Sequence, residues 1–272
     1  MTRETLLIGG RRRTYLHVAP VRSNASAPLL LALHGTTQTG ATMRRFSGRT
    51  LDALAERTGA DLVYLDGYRR AWNDGRLTAT SAAQRADVDD VGFVRAVVER
   101  FGRPAIAIGY SNGGQLIHRI VREAPGLLAG AVIVAAGLPV EEDFALAGVA
   151  PDRIPLLIVH GTADPVVPYD GGATRLLGRT KGTVRSALAT AQAYAGEGVE
   201  AVAGAEPDGA AATFVGITRV EWPGVRLVTQ HGTGHVIPNR VTRPPFVGPS
   251  HADLDLGEEI ESYLRLAASV ES

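Results

Sequence analysis

The sequence predicts an α/β protein in which helices cover both faces of a mostly parallel sheet. Short apolar runs recur along the chain, and each is followed by turn residues and by a segment that could form a helix. Several runs are apolar at every position, which strands buried on both faces require. The 272 residues show no internal repeat and no change of composition, so one domain over residues 1–272 is expected.

The predicted elements alternate from one end of the chain to the other. Apolar runs followed by turn residues place strands at residues 14–18, 29–33, 62–65, 105–108, 131–135, 156–159 and 226–229. Helices are expected at residues 41–58, 88–101, 112–123, 184–196 and 254–267. The alanine- and glycine-rich segment 196–213 is expected to be a surface loop before a further strand near residues 214–222. Connections such as 137–151 are short, so little or no lid domain is expected.

The composition excludes several classes of function. There is no cysteine, which excludes disulfides, thiolate catalysis and cysteine-ligated metal sites. Basic and acidic residues balance at 28 each, and the triplet Arg11–Arg13 is predicted to be the solvated face of an edge strand, so no nucleic-acid partner is expected. The N-terminus shows no signal-peptide core and the chain no apolar run of about 18 residues, so a cytoplasmic protein without a membrane partner is expected, with secretion as the alternative.

Three carboxylates precede the helix predicted at residues 88–101. Asp87, Asp89 and Asp90 fall in or just before its first turn, where acidic side chains complement the positive end of the helix dipole. This capping role is favoured over a catalytic pair of carboxylates.

Residues 109–113 read Gly-Tyr-Ser-Asn-Gly and lie between a predicted strand and a predicted helix. On a sharp strand-to-helix turn, a serine hydroxyl projects to where a base and a substrate carbonyl can both reach it. A chain with 32 glycines can also produce this pattern in a flexible loop, but the flanking elements favour a nucleophile elbow. Ser111 is therefore the candidate nucleophile.

An activated serine needs a base, and the base needs an acid that holds its tautomer. Asp164 follows the strand at 156–159, and strand ends carry function in open α/β sheets, so it ranks above Asp143, Asp152 and Asp170. A simple turn residue before proline is the alternative for Asp164.

The candidate base is His235, which lies in a glycine-rich loop after the strand at 226–229. Glycines there allow an imidazole to be placed over the elbow. His231 is the nearest rival, but it follows the strand directly and has a shorter reach. A lone histidine in an apolar helix, as His118 is, is more often packed than catalytic, and His17, His160 and His251 have no comparable loop.

The oxyanion that develops during acyl transfer needs two backbone donors. The amide of Asn112 supplies the first, because it follows the nucleophile. The second is expected from Thr36 or Thr37, in the loop after the strand at 29–33, with Gln38 shaping that loop.

Five segments occur in the order seen in one group of esterases. They read Leu-His-Gly-Thr-Thr-Gln-Thr at 33–39, Ala-Trp-Asn at 71–73, Asp-Asp-Val-Gly-Phe at 89–93, Gly-Tyr-Ser-Asn-Gly-Gly at 109–114 and His-Gly-Thr-Ala-Asp-Pro-Val-Val-Pro-Tyr at 160–169. Over residues 28–240 the sequence resembles the poly(3-hydroxybutyrate) depolymerase and feruloyl esterase group of α/β hydrolases. The resemblance implies an α/β-hydrolase fold, with Ser111 as nucleophile, Asp164 as acid and His235 as base.

The resemblance also implies residues that contact the substrate. It places Trp72 at the mouth of the pocket, with an ordinary core tryptophan as the alternative, and Gln38 and Tyr110 are further candidates. The sequence departs from the family at Thr36, where many members have cysteine. It departs again at Ile237, near which members acting on cell-wall or polyester substrates often carry tryptophan. Both departures argue against an extracellular polymer as substrate.

Together these residues predict a serine carboxylic-ester hydrolase that acts on aryl, short-acyl or hydroxyalkanoate esters without a metal or an organic cofactor. Its expected partner is a small or oligomeric ester, and the oligomeric state is left open. A peptidase or thioesterase could use the same residues, because the nucleophile and the oxyanion hole serve any acyl group. A non-catalytic protein of this fold that binds a ligand or a partner is the alternative from a different class.

Overall fold

The computed structural model describes residues 1–78, 81–202, 216–241 and 247–270. Eleven strands lie among these residues. They are β1 (Thr2–Ile8), β2 (Arg11–Val18), β3 (Leu29–Leu33), β4 (Leu62–Leu65), β5 (Ala105–Tyr110), β6 (Gly130–Val134), β7 (Leu156–Gly161), β8 (Gly172–Leu176), β9 (Arg179–Val184), β10 (Gly216–Trp222) and β11 (Val225–His231). All except β8 and β9 form one sheet in the order β1-β2-β4-β3-β5-β6-β7-β11-β10, and β8 and β9 form a separate hairpin.

The centre of the sheet is parallel and buried. Strands β4, β3, β5, β6, β7 and β11 pair in parallel, whereas β1, β2 and β10 join the two edges antiparallel. Every residue of the six parallel strands is buried, which explains why β3, β4, β5 and β6 are nearly continuous apolar runs.

Helices cover both faces of this sheet, as predicted. They are α1 (Gly40–Phe46), α2 (Thr50–Thr58), α3 (Ala82–Arg85), α4 (Asp90–Phe101), α5 (Asn112–Glu123), α6 (Ala187–Ala195) and α7 (Leu256–Val270). One core contains side chains of α4, α5 and α6 together with Leu29, Leu31 and Leu33. The other contains side chains of α1, α2 and α7 with Leu30 and Ala32, so alternate residues of β3 face opposite layers. No helix in the described ranges is long and apolar enough to cross a membrane.

Several predicted boundaries differ from the structure. Strand β1 and the hairpin β8–β9 were not predicted, and the predicted helix 41–58 is two helices, because Gly48 and Arg49 turn the chain with φ of 63° and 60°. The predicted helix 184–196 begins only at Ala187, after the N-cap Ser186, because Val184 ends β9. Residues 203–213 of the predicted loop and residues 214–215 of the following strand lie outside the described residues.

The prediction that Arg11–Arg13 forms the solvated face of an edge strand is wrong. Strand β2 pairs with β1 on one side and β4 on the other, and only Arg11 and Arg12 are exposed. The side chain of Arg13 is buried, and its guanidinium lies 2.5 Å from a carboxylate oxygen of Asp90 and 4.3 Å from the ring centroid of Phe93. Burial raises the pKa of Asp90, and the attraction of Arg13 only partly offsets this effect.

Two of the three carboxylates lie at the start of α4, as predicted: Asp90 is in its first turn and Asp89 precedes it, whereas Asp87 lies outside the helix. Asp89 is the N-cap, and its side chain accepts a hydrogen bond from the Gly92 N–H at 2.6 Å. Asp90 accepts from the Asn73 N–H at 2.7 Å while it pairs with Arg13, and Asp87 accepts from the side-chain amide of Asn73. Asp90 therefore ties β2 and α4 to the segment around Asn73.

Replacing Arg13 with methionine is expected to lower the free energy of unfolding by about 3–5 kcal/mol, because it leaves the buried Asp90 carboxylate without its charged partner. Urea denaturation measures the change. The matched control is Arg12→Met, which removes an exposed arginine from the adjacent position and is expected to change the free energy by less than about 0.5 kcal/mol. Equal effects of the two substitutions would show that the buried pair does not stabilise the fold.

Candidate active site

Ser111 occupies the sharp turn between β5 and α5. Its φ of 53° and ψ of −116° are unusual for a residue with a side chain, and such strain, of order 1–3 kcal/mol, persists only where the surroundings impose it. The Ser111 N–H donates to the Val134 carbonyl at 2.9 Å. A Cβ atom added to Gly113 would overlap the Leu33 carbonyl oxygen, and one on Gly109 would lie 2.5 Å from the Gly113 carbonyl oxygen. The glycines are therefore required by the close approach of β3, β5 and α5.

The structure places His235 within hydrogen-bond distance of both Ser111 and Asp164. Nε2 of His235 lies 3.0 Å from Oγ of Ser111, and Nδ1 of His235 lies 2.7 Å from Oδ2 of Asp164. An ionised carboxylate can only accept hydrogen bonds, so the ring proton lies on Nδ1. Nε2 is therefore free to accept the hydroxyl proton of Ser111.

Asp164 is buried, and the surrounding donors keep it ionised. Oδ1 accepts hydrogen bonds from the Val166 and Val167 amides, each at 2.8 Å, while Nε2 of His160 lies 3.3 Å from Oδ2. Burial raises the pKa of Asp164, but the attraction of His235 and the hydrogen bonds from His160 and His235 outweigh it. The pKa of this carboxyl group is held well below its ordinary value, so it remains an anion beside the imidazole.

The side chain of Tyr110 contacts both the backbone and the ring of His235. Its hydroxyl donates to the His235 carbonyl oxygen at 2.8 Å, and the two ring centroids are 5.0 Å apart. The His235 N–H donates in turn to the Val247 carbonyl at 2.6 Å. The prediction that Tyr110 binds substrate is therefore wrong: its side chain is buried, and its hydroxyl positions the loop that carries His235.

The loop after β3 supplies one free amide to the site. The Thr37 N–H donates to the Arg70 carbonyl at 2.8 Å, so it is not available to an oxyanion. The Thr36 N–H has no acceptor among the described residues, and both threonines line the cavity beside Ser111. Asn112 begins α5, so its N–H has no partner within the helix. Of the predicted donors, Thr36 and Asn112 fit an oxyanion hole and Thr37 does not.

His34 fixes the direction of the Thr36 amide. The Gly67 N–H donates to Nε2 of His34 at 2.9 Å, so the ring proton lies on Nδ1, which donates to the Gly35 carbonyl oxygen at 2.7 Å. That carbonyl and the Thr36 N–H belong to one planar peptide group and point in opposite directions. Burial lowers the pKa of His34 to about 4, which keeps the ring neutral and able to accept from Gly67.

Two other predicted substrate contacts lie elsewhere. The side chain of Trp72 is fully buried in the core and its Nε1 donates to the His34 carbonyl at 2.7 Å, so its placement at the pocket mouth is wrong and the core alternative is correct. The Trp72 N–H donates to the side-chain oxygen of Asn112 at 2.8 Å. Gln38 accepts from the Gly35 N–H at 3.2 Å and thus shapes the oxyanion loop, as expected, but it does not line the cavity.

The carboxylates and histidines that ranked below Asp164 and His235 have other contacts. Asp143 accepts from the backbone and hydroxyl of Thr78, and Asp152 accepts a backbone N–H. His118 is buried against a tyrosine hydroxyl, and burial lowers its pKa to about 3. His231 lies 3.0 Å from a threonine hydroxyl of β10.

Ser111 opens into a cavity of about 320 Å³. One wall comes from the turn at residues 69–71, another from α3, and a third from the hairpin β8–β9, which was not predicted. At its base, Nε2 of Gln115 donates to the Gly137 carbonyl, and the buried Oε1 of Gln115 has no hydrogen-bond partner among the described residues. Within the described residues, no group of three or more His, Asp or Glu side chains could hold a metal ion.

Sequence reasoning missed His160 and the basic side chains of the cavity wall. His160 precedes Asp164 by four residues at the end of β7, a spacing that signals proximity only once the strand end is known. The basic side chains are Arg69, Arg70, Arg76, Arg175 and Lys181. They come from two segments, residues 69–76 and 175–181, that lie far apart in the sequence, so no local pattern predicts them.

In sequence the chain is similar to a known esterase. No family model matches the chain. It is 32% identical over 293 aligned positions to "Putative esterase NocK" of Nocardia uniformis subsp. tsuyamanensis, and the match covers 97% of this chain and 82% of that protein.

Two solved esterase structures share the fold over nearly their whole length. Acetyl xylan esterase from Aspergillus awamori superposes with a TM-score of 0.61 at 15% identity, covering 97% of this chain and 99% of that one. Est1E from Butyrivibrio proteoclasticus gives 0.59 at 12% identity, covering 98% and 99%. The narrower resemblance to poly(3-hydroxybutyrate) depolymerases and feruloyl esterases stays a prediction. From the relative and the shared fold, the chain belongs to the α/β-hydrolase esterase family.

Proposed function

We propose that this carboxylic ester hydrolase cleaves aryl, short-acyl or hydroxyalkanoate esters by acyl transfer to Ser111. The observation that carries the proposal is the position of His235, whose Nε2 lies 3.0 Å from Ser111 Oγ while its Nδ1 lies 2.7 Å from Asp164. This is the arrangement in which a histidine can remove the serine proton and an aspartate can stabilise the resulting imidazolium.

In the first half of the proposed reaction, Ser111 Oγ forms a bond to the ester carbonyl carbon as its proton moves to His235 Nε2. The negative charge that develops on the carbonyl oxygen is bound by the N–H groups of Thr36 and Asn112. The bond to the alcohol oxygen then breaks, and the leaving alcohol takes the proton from His235. The product of this half is an ester of Ser111 with the acyl group.

In the second half, water attacks the acyl carbon while His235 Nε2 takes one of its protons. The intermediate is bound by the same two amides, and Ser111 Oγ leaves with the proton returned from His235. The carboxylic acid is released. Asp164 stays ionised throughout and keeps His235 in the tautomer with its proton on Nδ1.

The size of the cavity supports a small substrate or the end of an oligomeric one. A volume of about 320 Å³ lies at the lower end of the range for small-molecule sites, which is about 300–1,000 Å³. We therefore expect kcat/KM to fall as a straight acyl chain outgrows the cavity. A panel of p-nitrophenyl esters of increasing acyl length, beside a feruloyl ester and a hydroxybutyrate oligomer, measures this dependence.

The leaving group separates the ester hydrolase from the alternatives on the same residues. We expect p-nitrophenyl butyrate to be cleaved with a higher kcat/KM than butyric p-nitroanilide and S-phenyl thiobutyrate. A faster reaction with the amide would identify a peptidase, and a faster reaction with the thioester a thioesterase. The absence both of turnover and of labelling by a fluorophosphonate would identify a non-catalytic protein of this fold.

A further inference from the structure

The wall of the active-site cavity is basic, although the chain as a whole is neutral. Basic and acidic residues number 28 each in the sequence. Among the described residues, no Asp or Glu lines the cavity, whereas five basic residues do so: Arg69, Arg70, Arg76, Arg175 and Lys181. Lys181 is the only lysine in the sequence. The positive charge is thus concentrated where a substrate would lie.

Of these five charges, one is paired with a carboxylate among the described residues. The guanidinium of Arg76 is neutralised by Asp74, with an N–O distance of 2.7 Å. Within the described residues, no carboxylate forms an ion pair with the other four side chains, which we call the basic wall: Arg69, Arg70, Arg175 and Lys181. A wall with unpaired positive charge on a small cavity raises the local concentration of anions and favours an anionic ligand.

The basic wall is tied to the reacting groups by backbone hydrogen bonds. The Arg70 carbonyl accepts from the Thr37 N–H at 2.8 Å, which joins the turn at 69–71 to the oxyanion loop. The Arg175 N–H donates to the Val166 carbonyl at 2.9 Å, and the Val166 N–H donates to Asp164. The wall is therefore held by the same loops that place the oxyanion donor and the acid.

Part of the wall is built in a backbone conformation that arginine rarely adopts. Arg69 and Arg70 have φ of 49° and 64°, where glycine would be relaxed. Such conformations cost of order 1–3 kcal/mol each for a residue with a side chain, and they cluster at functional sites. The guanidinium group can bind a carboxylate or a phosphate with two parallel hydrogen bonds.

We propose that the basic wall binds an anionic group on the substrate, so that the enzyme prefers esters that carry a carboxylate or a phosphate. This inference rests on the proposed function, because it names the substrate class of the same cavity. It assigns Arg69, Arg70, Arg175 and Lys181 as specificity-determining residues. None of them takes part in proton transfer.

The first test compares matched esters of equal length. The substrates are mono-p-nitrophenyl adipate, its neutral methyl ester, the p-nitrophenyl ester of 6-aminohexanoic acid and that of 6-phosphonooxyhexanoic acid. At low salt we expect the adipate monoanion to exceed its methyl ester in kcat/KM by about tenfold or more, and the ammonium ester to be the poorest substrate. The kcat/KM of the phosphate-bearing ester, compared with that of the adipate monoanion, shows whether the wall prefers a phosphate or a carboxylate. Equal values for the anionic and neutral esters would overturn the proposal.

Substitutions in the basic wall and changes of salt concentration test whether the wall causes the preference for anionic esters. Arg175→Gln and Lys181→Gln are each expected to lower the ratio of the anionic to the neutral ester several-fold, mainly through KM of the anionic ester. Arg179→Gln is the matched control, because Arg179 lies on the same hairpin, is exposed and does not line the cavity. The ratio should also fall when the salt concentration rises from about 0.01 M to 1 M, because salt screens exposed charges. A ratio that none of these changes alters would contradict the assignment.

A binding measurement keeps this proposal separate from the proposed function. In the Ser111→Ala variant, the lone Lys181 can be acetylated with N-acetoxysuccinimide and followed by peptide mapping, which separates it from the N-terminal amine. We expect monomethyl adipate to protect Lys181 in a saturable way and dimethyl adipate not to protect it. Protection without ester turnover by the unmodified enzyme would refute the proposed function alone. Turnover without selective protection would refute the basic wall alone.

Discussion

Replacing Ser111 with alanine is expected to lower kcat/KM for ester hydrolysis by about 10⁵–10⁶-fold, since the covalent route is then removed and only binding and the oxyanion donors remain. The fold should persist, because the turn is held by the Ser111 N–H to the Val134 carbonyl and by the packing of Gly109 and Gly113 rather than by the hydroxyl. The assay is p-nitrophenyl butyrate hydrolysis, with thermal unfolding in parallel.

Covalent labelling gives an independent measurement of the same residue. A fluorophosphonate should label the unmodified enzyme at Ser111 and leave Ser111→Ala unlabelled. Ser26→Ala, which removes an exposed serine hydroxyl from a distant loop, is the control and should keep both labelling and rate. A Ser111→Ala enzyme with more than about 1% of the original rate, after purification from contaminating esterases, would exclude Ser111 as the nucleophile.

The three residues of the candidate triad could be predicted because each follows a strand that is recognisable in the sequence. Ser111 follows β5, Asp164 follows β7 and His235 follows β11. Strands β5, β6, β7 and β11 are parallel neighbours in the sheet. The carboxyl ends of parallel strands meet at one edge, so polar residues after each strand converge there. A strand is recognised from a short run of sequence, and that is enough to place its end.

The contacts that could not be predicted depend on the direction of a single group. Thr36 and Thr37 are adjacent and chemically identical, yet only the Thr37 amide meets the Arg70 carbonyl. Trp72 faces the core, where its indole packs among apolar side chains and donates to the His34 carbonyl. No periodicity or composition encodes such peptide and side-chain orientations.

Contacts between residues that are far apart in the sequence could not be predicted for a related reason. Arg13 and Asp90 are 77 residues apart, and each has an ordinary local interpretation, as a surface residue of a strand and as a residue of a helix cap. Arg13 is buried because its side chain packs against Asp90 and Phe93 of α4, which covers that face of the sheet. The basic wall is a second case, because its residues come from a turn near residue 70 and a hairpin near residue 180 that share no sequence signal.

The carboxylate of Asp164 is held in place by contacts to both of its oxygens. Two backbone amides hold Oδ1, while His235 and His160 lie against Oδ2 at 2.7 and 3.3 Å. The carboxylate is therefore fixed in position before any substrate binds, and little reorganisation is needed when His235 becomes charged. Nε2 of His160 also lies 3.0 Å from the Val167 carbonyl, so His160 contacts the segment that holds Asp164 and is a positioning residue.

Replacing Asp164 with asparagine is expected to lower kcat by about 10³–10⁴-fold, with a smaller change in KM. The asparagine can present its NH₂ group to His235 Nδ1, which favours the tautomer with the proton on Nε2, and that tautomer cannot accept the Ser111 proton. Steady-state kinetics with p-nitrophenyl butyrate measure the loss, and NMR of the imidazole nitrogens reports the tautomer.

The matched control for this substitution is Asp170→Asn, because Asp170 is an exposed carboxylate six residues further along the same segment and does not line the cavity. It should keep the original rate. If Asp164→Asn retained more than about a tenth of kcat, with its fold intact by thermal unfolding, the carboxylate would not be what holds the tautomer of His235. The hydrogen bonds from the Tyr110 hydroxyl to the His235 carbonyl and from the His235 N–H to the Val247 carbonyl would then have to orient the imidazole without it.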